Sequence, residues 1–287
     1  MSPPLPPPSG SPNAAPPAPS DQPARLRRLD QLSWPELRQR AAEPGSTVIW
    51  PFGAIEQHGP HLPLGTDALF AERVCEAVLE RLDPVLPIWR LPLQSLGFSP
   101  EHRGFPGTLS LPAELILSLV AAVGEDLAKA GFHRLVLLNA HGGQIGLLEV
   151  AARQLRDRQP QLAVLPCFLW RGPEGVGALI PEPERSHGLH AGLAETSLML
   201  HLAPELTGAE RRADGLELEG IPPGWSLEGQ APCAWRTREL SASGVIGDPR
   251  DASAALGAEL FERLVEGWRR RLDALLRSDW PPTSGPG

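Results

Sequence analysis

A short apolar run that stops at a turn dense in ionisable side chains sets the terms for this chain. Val48-Ile49-Trp50 reads as a buried strand, and Glu56, His58, His61 and Asp67 follow it closely. The pattern returns at residues 134–139 (RLVLLN), which run directly into Ala140-His141-Gly142-Gly143-Gln144. Near-continuous apolar strands belong to parallel sheets with both faces covered. In open α/β sheets, ligands bind beyond the carboxyl ends of the strands. Carboxylate oxygens and imidazole nitrogens suit hard or borderline divalent ions. A metal site at the strand ends is therefore expected. The plain alternative is a polar loop with surface histidines, since the Gly and Pro residues between them are ordinary loop punctuation.

The rest of the chain alternates helical and strand patterns. Residues 26–42 carry a helical pattern, with Ser33 as a candidate N-cap and Pro35 in the first turn. Asp67 opens a helix over 68–81 and is itself a plausible N-cap. Residues 86–91 and 161–169 read as further strands. Residues 97–108 form a long loop without periodicity, a kind of segment that is uncommon and often functional. Residues 112–130 form an amphipathic helix with Gly131 as its C′ residue. A helix from about 145 to 155 follows the glycine turn, where glycine permits close approach of a ligand to the backbone. His190 and Glu195 flank the start of a helix ending near 202, a spacing that lets both face one cavity. Residues 205–247 are Gly-rich and weakly patterned, 244–250 read as a short strand and turn, and 251–276 form a long last helix. The expected fold is α/β, a three-layer α/β/α sandwich around a mostly parallel central sheet.

Composition removes several function classes. The net charge of −8 carries no long run of one sign, which argues against nucleic acid as the main partner. No stretch approaches 18 uninterrupted apolar residues, so no membrane span is expected. The three cysteines, Cys75, Cys167 and Cys233, are far apart, which suggests a reducing, cytoplasmic setting without a disulfide framework. Lys129 is the only lysine, so Schiff-base and P-loop chemistry are improbable. Residues 1–24 hold ten prolines and read as a disordered solubilising tail, with neither the basic start nor the apolar core of a signal peptide. Residues 25–278 are then the one folded domain, and 279–287 a loose end.

Three places supply metal-type donors: Glu56, His58 and Asp67; His141; and Glu195. In a parallel sheet the carboxyl ends share one side, so these groups can converge. A dinuclear centre there activates water and polarises a carbonyl, and His190 is well placed to shuttle a proton to a leaving nitrogen. His102, in the long loop, could line the pocket. His61 is adjacent to the ligands, although Leu62 and Pro63 could turn it outward. His133 and His201 read as structural or surface residues.

Five runs together resemble the creatininase (creatinine amidohydrolase) family. They are PFGAIEQHGPHLPLGTD at 51–67, EHRGFPGT at 101–108, NAHGG at 139–143, HAGLAETS at 190–197 and GDPR at 247–250. The resemblance covers roughly residues 25–275. It implies two divalent ions, zinc or manganese with iron as an alternative. Glu56, Asp67 and His141 would hold one ion and His58, Asp67 and Glu195 the other, with Asp67 bridging. His190 matches the family's ring-opening histidine. Gly142, Gly143, His102 and Trp170 are the expected substrate contacts. A homo-oligomer, commonly a hexamer in the family, is what the resemblance implies.

One position departs from the pattern. Creatininase carries a glutamate where this chain has Gly143, which makes the second ion less secure than the first and puts creatinine in doubt as the substrate. The expected function is hydrolysis of a C–N amide bond, in a small cyclic amide or formamide rather than a general peptide. The alternatives are a peptidase maturing a mycofactocin-type precursor, a true creatininase, or a non-catalytic metal- or ligand-binding member of the fold.

Overall fold

The computed structural model describes residues 27–215, 222–229 and 231–281. The proline-rich segment 1–24 and residues 282–287 lie outside that range. Four strands form one sheet in the order β2-β1-β3-β4: β1 (Thr47–Phe52), β2 (Ile88–Arg90), β3 (Arg134–Asn139) and β4 (Ala163–Phe168). Every pairing is parallel. Each crossover carries helix, as parallel neighbours require.

Period-two alternation divides the apolar residues between two cores. Val48, Trp50, Phe52, Leu135 and Leu137 face one side. There they meet α1 (Trp34–Ala41), α3 (Ala113–Ala130) and α4 (Ile145–Arg158). Ile49, Val136 and Leu138 face the other side. They meet α2 (Thr66–Arg81), α6 (Leu193–Leu202) and α8 (Ala254–Leu276). The three-layer sandwich follows directly, because a sheet buried on both faces needs helices on both. Two short helices, α5 (Glu184–His187) and α7 (Thr237–Leu240), sit in the connections. No helix of the described residues is long and apolar enough to cross a membrane.

Several sequence expectations meet their physical reason here. Ser33 caps α1, with the Glu36 carboxylate accepting from Ser33 N–H at 2.8 Å. Gly131 ends α3 at φ 105°, in the left-handed region. The helical pattern over 26–42 divides into a 3₁₀ turn, Leu29–Gln31, and an α-helix that begins at Trp34, directly after the expected cap Ser33. Pro35 in its first turn tolerates a start there but not an earlier one, because it lacks an N–H and crowds the preceding turn. Asp67 is not the cap of α2. Gly65 holds that place and Asp67 lies inside the first turn, with its side chain turned toward the strand ends. Residues 244–247 make isolated bridges rather than a strand, Ile246 with His190 and Gly247 with Asp214.

The register matters most for function. Phe52 pairs with Asn139, so β1 and β3 end side by side. The loop after β1 and the turn after β3 therefore open onto the same edge of the sheet.

Candidate metal centre

The loop after β1 folds back tightly. A β-carbon on Gly53 would lie 2.4 Å from Ala68 Cα, so only glycine lets the strand exit press on the start of α2. Glu56 N–H donates to Leu64 O at 2.9 Å and closes the loop. The imidazole of His58 sits over its own loop, with Nδ1 3.2 Å from Glu56 O. A carbonyl only accepts, so Nδ1 donates there. That leaves Nε2 as the atom facing Asp67 Oδ1, at 3.5 Å.

Asn139 presents His141 at the end of β3. Its amide accepts from His141 N–H at 2.9 Å and donates to His141 O at 2.6 Å. The imidazole Nε2 lies 3.0 Å from Phe98 O, so Nε2 carries the hydrogen. Nδ1 then faces Asp67 Oδ2 at 3.1 Å and Glu56 Oε1 at 3.3 Å. The two oxygens of Asp67 thus point at two different imidazoles, one on each side, as a bridging carboxylate requires.

Glu195 enters from the first turn of α6, and its Oε2 accepts from Ala191 N–H at 2.6 Å. Ala191 takes φ 53°, a left-handed conformation that costs a non-glycine residue roughly 1–2 kcal/mol. This bend lies between His190 and Glu195 and lets both face inward. His190 Nε2 donates to Gln57 O at 2.6 Å, which leaves Nδ1 toward the centre, 3.9 Å from Glu56 Oε1. Its ring lies between those of His58 and His102, with centroids 4.3 and 4.0 Å away. The tautomer of His102 is also set. Gln57 Oε1 accepts from Gly59 N–H and its Nε2 donates to Gly244 O, so the amide can only donate to His102 Nδ1, at 2.9 Å. His102 Nε2–H then points at Glu56 Oε1, 3.4 Å away.

Burial sets the electrostatics, and charge proximity then sorts it. Burial disfavours the charged form of His58, yet Asp67 beside it overrides this and raises its pKa to about 9. His141 is likewise raised, against burial, by Glu56 and Asp67. For Asp67, burial pushes the pKa upward, but His58 and His141 outweigh it and hold the carboxyl well below its usual range. Burial raises Glu195 to about 7 and also raises Glu56. Burial lowers His102 to about 3, helped by the nearby His58 and His141. Asp67 is thus kept ionised between His58 and His141, with Glu56 and Glu195 beside them as further oxygen donors.

The donor set fits divalent ions. Glu56 Oε2, His58 Nε2 and Asp67 Oδ2 are buried atoms without a hydrogen-bond partner. Such orphans are rare in folded proteins because each forfeits its hydration. They lie together, and they are oxygen and nitrogen donors of the kind zinc and manganese take. Overlapping donor groups, Glu56/His58/Asp67, His58/His190/Glu195, Glu56/Glu101/His141 and Glu56/His102/His190, each keep their atoms within 4.8 Å.

Above the cluster lies a cavity of about 760 Å³. Its walls include His102, Gly142, Gly143 and Trp170, all singled out by the sequence, and also Phe98, Leu227 and Trp235, which were not. His61, left undecided by the sequence, faces inward. It is buried, and its Nε2 bonds Thr196 Oγ1 at 2.8 Å, tying the metal loop to α6. Leu62 does not turn it outward because Leu62 is itself buried in the α2-side core. Sequence reasoning missed Glu101, although it adjoins His102 in a loop already marked as irregular. It also missed Gln57, whose side-chain amide orients His102 and whose backbone carbonyl orients His190. Trp235 carries no local signal, since it comes from a weakly patterned stretch.

Comparison with known proteins agrees with this geometry. The creatininase family profile, described as creatinine amidohydrolase, matches residues 30–272. The mycofactocin precursor peptide peptidase of Mycobacterium tuberculosis is 36% identical over 234 residues, covering 79% of this chain and 84% of that one. The creatinine amidohydrolase of Pseudomonas putida is 30% identical over 265 residues, covering 89% and 98%. A solved manganese form of creatininase superposes with a TM-score of 0.69 at 26% identity, covering 88% of this chain and 99% of that one. Strand order, buried donor cluster and matched length point the same way, and the chain belongs to the creatininase family.

Proposed function

We propose that this creatininase-family hydrolase of C–N bonds is a two-metal amidohydrolase whose substrate is peptide-like. The observation that carries the reading is the set of orphaned donors, Glu56 Oε2, His58 Nε2 and Asp67 Oδ2, of which Glu56 and Asp67 line a cavity of about 760 Å³. Glu56, Asp67 and His141 would hold one ion, and His58, Asp67 and Glu195 the other. Zinc and manganese both suit these ligands. Two such ions supply an activated water and polarise the scissile carbonyl.

The side chains of this protein do the rest. His190 has its Nε2–H fixed on Gln57 O, so Nδ1 is the atom free to take a proton near Glu56 and pass it to the departing nitrogen. His102 donates toward Glu56 Oε1 and holds that carboxylate in place. Apolar walls exclude water and accept side chains of the substrate.

The sequence by itself favoured a small cyclic amide or formamide. Two observations move the reading toward a peptide segment. The cavity is large, with Phe98, Trp170, Leu227 and Trp235 on its walls, whereas creatinine is a small polar ring. The mycofactocin precursor peptide peptidases are 32–36% identical to this chain. A small-amide activity is the second reading, favoured by the relative from Pseudomonas putida. The deciding experiment is metal analysis of the purified protein with a hydrolysis panel of creatinine, N-formyl compounds and short peptides with apolar side chains. Absence of bound divalent metal, or indifference to Glu56→Ala and Asp67→Ala, would sink the hydrolase centre. Creatinine as the best substrate would sink the peptide part alone.

A further inference from the structure

Gly143 stands where creatininase carries a glutamate, and the structure shows what occupies the space. An ideal β-carbon on Gly143 would lie 1.7 Å from Glu101 Oε1 and 2.7 Å from His141 Nε2. Any side chain at 143 and the present carboxylate of Glu101 exclude each other. Glu101 sits on the 3₁₀ turn Pro100–His102, which is anchored at both ends. Ser99 N–H donates to Ser110 Oγ at 2.9 Å, and the Thr237 hydroxyl shares its hydrogen between His102 Nδ1, at 2.7 Å, and Glu101 O, at 3.0 Å. The side chain is 12% exposed, and the basic side chains within 4 Å of its carboxylate among the described residues are imidazoles, His141 Nε2 at 3.4 Å and His102 Nε2 at 4.0 Å. A mostly buried carboxylate with no arginine or lysine beside it calls for an explanation, because removing a charge from water is costly unless it is paired.

The direction of His141 supplies one. Its Nδ1 faces Glu56 and Asp67, while Nε2–H faces Phe98 O at 3.0 Å, Ser99 Oγ at 3.2 Å and Glu101 Oε1. Of these three acceptors, Glu101 alone is charged. A carboxylate on the far nitrogen of a ligating imidazole fixes the ring and raises its basicity. From this we infer that Glu101 is the positioning carboxylate of His141, acting on metal affinity from behind the imidazole, and that glycine at 143 is what admits it. The inference rests on the metal-centre reading above. It assigns a role to a loop residue that α3 and β3 separate in sequence from the ligand it steers.

The test is calorimetric titration of Zn²⁺ or Mn²⁺ into the chelator-stripped full chain. Glu101→Gln keeps the shape and removes the charge. It is expected to weaken the ion held by His141 about ten-fold or more, the usual loss when such a partner is changed. Glu101→Asp should recover part of the loss, and the metal-free melting temperature should not move in either variant. Gly143→Ala should weaken binding in the wild-type background by displacing Glu101. It should weaken it less in the Glu101→Ala background, where only the His141 contact remains. Wild-type affinity in Glu101→Gln, or an equal cost of Gly143→Ala in both backgrounds, would overturn the inference while leaving the metal centre standing. A wild-type protein that binds neither ion would overturn the centre and the inference together.

Discussion

The two ends of β3 both bury charge, and they treat it in opposite ways. At the amino end, Arg134 is 1% exposed, yet each of its three guanidinium nitrogens has a carbonyl partner. It donates to Trp280 O at 2.6 Å, Ser278 O at 2.7 Å and Gly45 O at 3.2 Å. Three backbone carbonyls solvate one cation, and the arrangement ties the end of α8 to the loop before β1. At the carboxyl end, Glu56, His58 and Asp67 are as deeply buried, but an atom of each is left without a partner. Buried polar groups are normally satisfied. At the amino end the partners are all supplied by the chain, whereas at the carboxyl end three orphaned donors of metal-binding type lie together. The expectation of a loose chain from 279 onward meets the carbonyl of Trp280, which lies on the structural side of this contrast.

The contrast can be broken most forcefully at Asp67. Asp67→Asn keeps the shape and removes the bridging charge. Metal content should fall to background and hydrolysis with it, while the far-ultraviolet circular dichroism stays native. Retained metal would show that Asp67 is not the bridge. Next in size is His190→Ala, where proton transfer should be lost at a cost of about 10²–10⁴-fold in kcat, with both ions still bound. A parallel loss of metal would make His190 a ligand instead. Arg134→Met acts on the other end. It leaves three carbonyls without donors and should destabilise the fold by about 2–4 kcal/mol, without changing kcat below the melting transition. A fall in kcat with stability intact would erase the distinction between the two ends. Ser33→Ala, at the exposed cap of α1, calibrates the scale: about 1 kcal/mol of stability and no change in activity or metal content.

The parts of the fold legible in the sequence are those where a local pattern has a local cause. The run RLVLLN became β3 with the bounds the pattern suggests, because an apolar stretch buried on both faces is closed off by one polar residue at each end, Arg134 and Asn139. Gly131 ended α3 because a left-handed residue is cheap only for glycine. The three donor segments were legible because their residue types are chemically distinctive and each follows a strand or opens a helix. Asp67 shows where such reading stops. From sequence it is a helix cap and a ligand candidate at once. The structure gives the cap to Gly65 and turns both carboxylate oxygens to imidazoles. His61 is the converse case, the same residue type at similar spacing but with its Nε2 bonded to Thr196 Oγ1.

The sequence alone determined the layered α/β class, the family likeness and the residue types of the centre, because periodicity and donor chemistry are carried by neighbours along the chain. The tertiary structure decided which nitrogen of each histidine faces inward, since that depends on carbonyls contributed by distant loops, Phe98 O for His141 and Gln57 O for His190. It also decided that Glu101 and Gly143 share one volume, although 42 residues separate them. Exclusion of one atom by another is a property of packing, and no spacing along the chain encodes it.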